Sequence, residues 1–104
     1  MNTPLVVEIP HRLGKEEAVR RLKGGLSRAS SQYGNLLQVH EEIWSGDRLS
    51  FRVEAMRQMA SGTIDVREDN VRVEVTLPWL LARLAGGIQS AIRKSGTLML
   101  EKKP

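Results

Sequence analysis

Between Asp47 and Leu77 three segments separated by short breaks alternate apolar and polar residues, and that rhythm most narrows the folds open to the chain. In "DRLSFRVEAM", Leu49, Phe51, Val53 and Ala55 share one parity, and Ser50, Arg52, Glu54 and Met56 share the other. Side chains on a strand point alternately to its two faces, so a period of two marks a strand with one buried and one wet face. "GTIDVRE" places Ile64 and Val66 inward, and "NVRVEVTL" places Val71, Val73, Val75 and Leu77 inward. The breaks "SGD" (Ser45 to Asp47) and "EDN" (Glu68 to Asn70) have hairpin length and composition, and the tight spacing near Arg57 to Ala60 also suggests a hairpin. Successive hairpins build an antiparallel meander whose greasy face needs a cover. "LLQVHEEIW" adds a strand with β-rich ends, "LVVEI" (Leu5 to Ile9) adds one ended by Pro10, and "TLMLE" reads as a short last strand.

Two helices supply the cover. The first follows "HRLGKEE", with Gly14 as its N-cap and Glu16 and Glu17 where the helix dipole favours acids. Steps of about 100° gather Gly25, Ala18, Ala29, Leu22, Tyr33, Leu26 and Val19 on one arc, away from Arg20, Arg21, Lys23 and Arg28. Glu16–Arg20 and Glu17–Arg21 are spaced for ion pairs with the acid first. Gly24 and Gly25 each weaken the helix by about 1 kcal/mol, and Gly25 on the apolar arc permits close approach to the sheet. "SSQYGN" ends this helix. The second is "TLPWLLARLAGGIQSAI", with Pro78 in the first turn, Arg93 and Lys94 in the last, and Gly96 as the C-terminal cap. Leu80, Ala91, Leu84, Ile88, Leu81, Ile92 and Ala85 form its apolar arc. Burying the five Leu and Ile stabilises the fold by on the order of 10 kcal/mol, which rivals the net stability of a whole domain. The arc therefore reads as core rather than as a lipid-facing surface. The expected architecture is a single α+β domain over residues 1–104, with 1–4 and 102–104 as loose ends. Its antiparallel sheet has five or six strands with two helices packed on one face, in the order β-α-β-β-β-β-α-β, like a small helix-grip fold.

The chain has no cysteine, so no disulfide holds it and no thiolate acts in it. The N-terminal stretch lacks a signal-peptide pattern, and the apolar patch around Leu77 to Gly87, broken by Arg83, falls short of the roughly 20 residues that span a bilayer. A cytoplasmic protein is expected. The net charge of +4 is modest and its acids and bases are interspersed. The wet sheet face (Arg52, Glu54, Asp65, Arg67, Arg72, Glu74) mixes signs and lacks the aromatics of a single-strand platform, so nucleic acid is not an expected partner.

Motifs of hydrolases, metalloproteases, phosphate loops and dinucleotide sites are missing from the sequence. His40 with Glu41 and Glu42 makes a poor metal set and reads as a solvated strand face, and His11 reads as a ring that caps or packs where the first helix begins. No catalytic, cofactor or metal residue is assigned. Trp79 is different, because it falls in the polar arc of its helix among Gly86, Ser90, Arg83 and Arg93. Two readings stay open: a tryptophan packed on a neighbouring loop, or an exposed anchor flanked by Arg83. Trp44, near a hairpin, and the basic face of the first helix (Arg20, Arg21, Arg28) are the further candidates for an interaction surface.

"IPHRLGKEEAVRRL", "WSGDRLSFRVEAM", "SGTIDVREDNVRVEVTLPWLLARL" and "GTLMLEKKP" together resemble the polyhydroxyalkanoic acid system protein family, over about Val6 to Lys103. The chain departs from the family pattern at Arg57, where glycine is expected before Gln58. The resemblance implies a role beside polyhydroxyalkanoate synthesis and granule-surface proteins, and carries over no catalytic residues. A polymerase or depolymerase needs a Cys or Ser nucleophile with its base, and this chain has no Cys and no such Ser arrangement. The expectation is a non-enzymatic accessory protein, without cofactor, that contacts granule-associated proteins or the granule surface. The alternative is a small apolar or acyl ligand held in a cavity between helices and sheet. An edge strand, Leu5 to Ile9 or Leu98 to Leu100, could join two copies.

Overall fold

A computed structural model describes residues 3–33 and 37–101, apart from some side chains of the first helix. The alternating stretches form a five-stranded sheet: β1 (Thr3–Pro10), β2 (Leu37–Ser45), β3 (Arg48–Ala55), β4 (Gln58–Val66) and β5 (Asn70–Leu77). Every neighbouring pair is antiparallel. The order is β1-β5-β4-β3-β2, so β2 to β5 are the expected meander and β1 closes the far side against β5. Thr3 and Pro4, expected among the loose ends, pair with Leu77 and Thr76; residues 1–2 and 102–104 lie outside the described ones. The helices are α1 (Lys15–Tyr33), α2 (Trp79–Ala82) and α3 (Ala85–Met99).

The period-two reading locates the core. Val71, Val73, Val75 and Leu77 are buried, as are Ile64, Val66, Leu49, Val7 and Ile9, all on the face that the helices cover. Glycine lets the sheet close at one point. A Cβ on Gly62 would run into the β5 backbone at Glu74, with Phe51 Cζ and Val75 Cα each at 2.9 Å. Phe51 stands directly across from Gly62 in the β3–β4 register, and its ring occupies the space that the missing side chain leaves.

The second helix departs from its expected form in three ways. It is broken: α2 ends after one turn, Arg83 and Leu84 form a corner, and α3 starts afresh with the Ile88 N–H bonded to the Leu84 carbonyl. The corner rotates the apolar arc. Leu81 is buried, while Leu80, Ala85, Ile88 and Ile92 are half-buried, and Leu84 and Ala91 are exposed. The arc is therefore only partly core. Third, Gly96 does not end the helix, and Leu98 to Leu100 is not a strand. The helix continues to Met99 because Gly96 is an interior packing residue, whose absent Cβ makes room for the Ile9 side chain. The last turn then buries Leu100, whose N–H bonds the Gly96 carbonyl. The order is thus β-α-β-β-β-β-α-α, and the edge Leu98 to Leu100 does not exist.

In α1, Ala18 and Leu22 are buried as expected. Gly25 is buried too, but it faces Met99 of α3 rather than the sheet. α1 runs into the expected stop "SSQYGN" as far as Tyr33, and Gly34 and Asn35 lie outside the described residues, as do the side chains of Leu26, Ala29 and Tyr33.

Candidate interaction surface

The register sorts the candidate residues between the two ends of the sheet. One end carries the turn Gly46–Asp47, the β4–β5 connection and the start of α1, which Lys15 ties to Asp47 at 3.3 Å. The other carries the Met56–Arg57 turn and the exit of β5 into α2. Trp44, Arg20 and Arg21 belong to the first end, and Trp79 and Arg83 to the second. Arg28 is exposed on the later half of α1, which runs from the first end toward the second.

Trp44 is half-buried, and a bulge decides this. His40 has no partner in the β2–β3 register, so Val39 opposite Val53 and Trp44 opposite Leu49 both face the helices despite their odd spacing. Ile43 is turned outward by the same bulge. Trp44 Nε1–H donates to Glu42 Oε2 at 3.0 Å, and Lys23 Nζ from α1 stands 5.3 Å from the ring centroid. The ring is thus engaged by its own chain and is not a free anchor.

Arg20 and Arg21 are engaged as well. Both converge on Glu17, Arg20 through Nε and Nη2 and Arg21 through Nε at 2.9 Å. Arg21 also donates to the Glu101 carbonyl, which links α1 to the end of α3. The hydrogen bonds from Arg20, then those from Arg21, hold the Glu17 carboxyl below its ordinary pKa. Of the two spaced pairs, Glu17–Arg21 forms and Glu16–Arg20 gives way to Glu17–Arg20.

Trp79 is the exposed tryptophan, with 61% of its surface open. It stands at the first position of α2 after Pro78, pointing away from the side of Leu81 that meets β5. The loop-packed reading therefore fails. Three further apolar side chains gather at this end that sequence reasoning did not single out: Met56 at 57% exposed, Met59 at 42% and Leu84 at 47%. The register shows why they share it. β4 pairs with β5 only from Ser61 onward, and that register sets Ala60 level with Leu77, the last residue of β5, so Gln58 and Met59 extend past the end of β5, paired with β3 alone. Arg57 and Arg83 are exposed at the same end, and neither has a carboxylate partner among the described residues. A signal for this surface was present in the chain: no acid occurs from Val75 to Leu100 or from Ala55 to Ile64. The acid nearest in register is Glu54, opposite Met59, and it takes His40 Nε2 at 2.9 Å.

His11 has a structural role. His11 is buried; its Nε2–H donates to the Arg67 carbonyl at 3.0 Å and its Nδ1 accepts from the Leu13 N–H at 3.2 Å. It pins the start of α1 to the β4–β5 connection. Among the described residues no group of three His, Cys, Asp or Glu is placed to hold a metal. A recess of about 590 Å³ lies at the start of α1, lined by Leu13, Gly14, Lys15, Glu16, Glu17, Arg20 and Glu68. It is open and charged, and does not lie between helices and sheet, so it does not suit an apolar or acyl guest. No described helix is long and apolar enough to cross a membrane.

The family described as "Putative polyhydroxyalkanoic acid system protein" matches residues 5–98. The chain belongs to this family. The match spans β1 through nearly all of α3, so the sheet, the helices and both ends of the molecule fall within what the family shares. No curated protein matches the chain.

Proposed function

We propose that this protein is a non-enzymatic accessory protein of polyhydroxyalkanoate metabolism, working in the cytoplasm by contact with granule-associated proteins or the granule surface. One observation carries the reading: a member of this family holds Trp79 exposed, with Arg83 one helical turn away and exposed too. A large aromatic left in water with an exposed arginine four residues on has the composition of an interface centre. The lack of any cysteine, and the structural engagement of His11 and His40, support contact rather than catalysis.

Co-sedimentation with native polyhydroxyalkanoate granules, before and after protease removal of the granule coat, tests this. Retention by coated granules alone identifies a protein partner, and retention by stripped ones identifies the granule surface. Absence from both pellets overturns the proposal. Trp79→Ala is expected to fold normally and to lose most of the retention.

A further inference from the structure

We infer that the end of the molecule formed by the Met56–Arg57 hairpin and the Pro78–Leu84 corner is a docking surface for an anionic phospholipid layer. The inference rests on the reading above for its choice of surface, since Trp79 and Arg83 belong to both. Met56, Met59, Trp79 and Leu84 are large, exposed and apolar, and they share one end of the sheet. Tryptophan favours the boundary between headgroup and acyl chain, where its ring meets carbon and its N–H meets water. The charge complements such a layer. Arg57 and Arg83 are exposed at the apolar tip, and neither has a carboxylate partner among the described residues. A neutral apolar protein groove would not require that cationic bias.

The backbone gives an independent reason. Met56 and Arg57 sit at φ 55° and 63°, a two-residue turn in which both positions are left-handed. Asn-Gly fills such a turn without strain, whereas residues with long side chains are disfavoured there. Strain held at an exposed hairpin tip, with a thioether and a guanidinium as its two side chains, points to use of those side chains. The outer sheet face does not compete as the docking surface, because it mixes signs, with Arg48 set against Asp65 at 3.3 Å and Arg72 against Glu74 at 3.6 Å.

The test uses vesicles of phosphatidylcholine, alone or mixed with phosphatidylglycerol, and a Trp44→Phe background in which Trp79 is the single tryptophan. Trp79 emission should shift to the blue and be quenched by brominated acyl chains with the anionic vesicles, and the effect should weaken as salt rises. Arg83→Gln should reduce affinity about fivefold. The double variant Met56→Asn with Arg57→Gly should bind more weakly and yet unfold at higher urea, a combination that misfolding does not produce. Flotation of the unaltered protein with the same vesicles repeats the comparison without the Trp44 substitution. Binding to neither vesicle, equal binding to both, or anionic binding untouched by the tip variants would each overturn the inference. Retention by coated granules without vesicle binding sinks the lipid surface and leaves the granule reading standing as a protein contact. Vesicle binding without granule retention does the reverse.

Discussion

Met56 and Arg57 show how a single turn can work against stability. Each holds a left-handed backbone that costs a non-glycine residue about 1–2 kcal/mol. Replacing the pair by Asn-Gly should therefore stabilise the protein by about 1 kcal/mol or more, read as a higher urea midpoint with an unchanged slope. Glu17 works in the opposite sense. Its carboxyl is lowered by Arg20 and Arg21, so its contribution is complete above the unfolded carboxylate pKa and is lost as pH falls through the lower folded value. Glu17→Gln should be the less stable protein at neutral pH, with the difference closing in acid and shrinking in high salt. Urea melts of both proteins across pH check this, and a gap that persists below the carboxylate range would exclude the linkage.

Glycines in different elements answer to different neighbours. Gly62 in β4 lies against β5 backbone, which cannot rotate aside, so Gly62→Ala should separate the strands and cost about 2 kcal/mol or more. Gly86 in α3 has no heavy atom within 4 Å of where its Cβ would stand, so Gly86→Ala should stabilise the helix by up to about 1 kcal/mol. Thermal melts of the two variants should move in opposite directions. Gly96 and Gly25 fall between these cases, because the groups they meet are the flexible ends of Ile9 and Met99. The corner between α2 and α3 has the same kind of local cause. One turn of helix seats Leu81 on β5, and the chain must then change direction to lay α3 along β1 with Gly96 on Ile9.

The whole molecule is polarised along its sheet. Pairings among Lys15, Asp47, Glu17, Arg20, Arg21 and His11 knit one end, where Leu98 and Ile43 are also exposed, while the other exposes Met56, Met59, Trp79 and Leu84 with two arginines that have no carboxylate partner among the described residues. The lateral edges are guarded. β1 begins and ends near Pro4 and Pro10, which offer no N–H, and β2 is interrupted by the His40 bulge and carries Glu41 and Glu42. Pairing of two copies through Leu5 to Ile9 would meet these obstacles, so we expect a monomer in sedimentation velocity at micromolar concentration; a concentration-dependent dimer would reopen the β1 edge.

The sequence by itself determined the class of fold, because strand alternation is local: Val71, Val73, Val75 and Leu77 declare their face through spacing alone. It also determined the hairpin at Ser45 to Asp47 and the start of α1, where turn and capping residues act within a few positions. Tertiary structure decided what depends on partners distant in the chain. Nothing near His40 announces a bulge, yet the bulge turns Trp44 inward and Ile43 outward. Gly96 has the residue type of a cap and becomes packing space only because Ile9 lies beneath it. The candidate surface divides the same way. Trp79 was legible as a misfit on the polar arc of a helical wheel, with Arg83 as its flank, whereas Met56, Arg57 and Met59 join them only because the β3–β4 hairpin overshoots β5, a matter of register that pairing across the sheet sets.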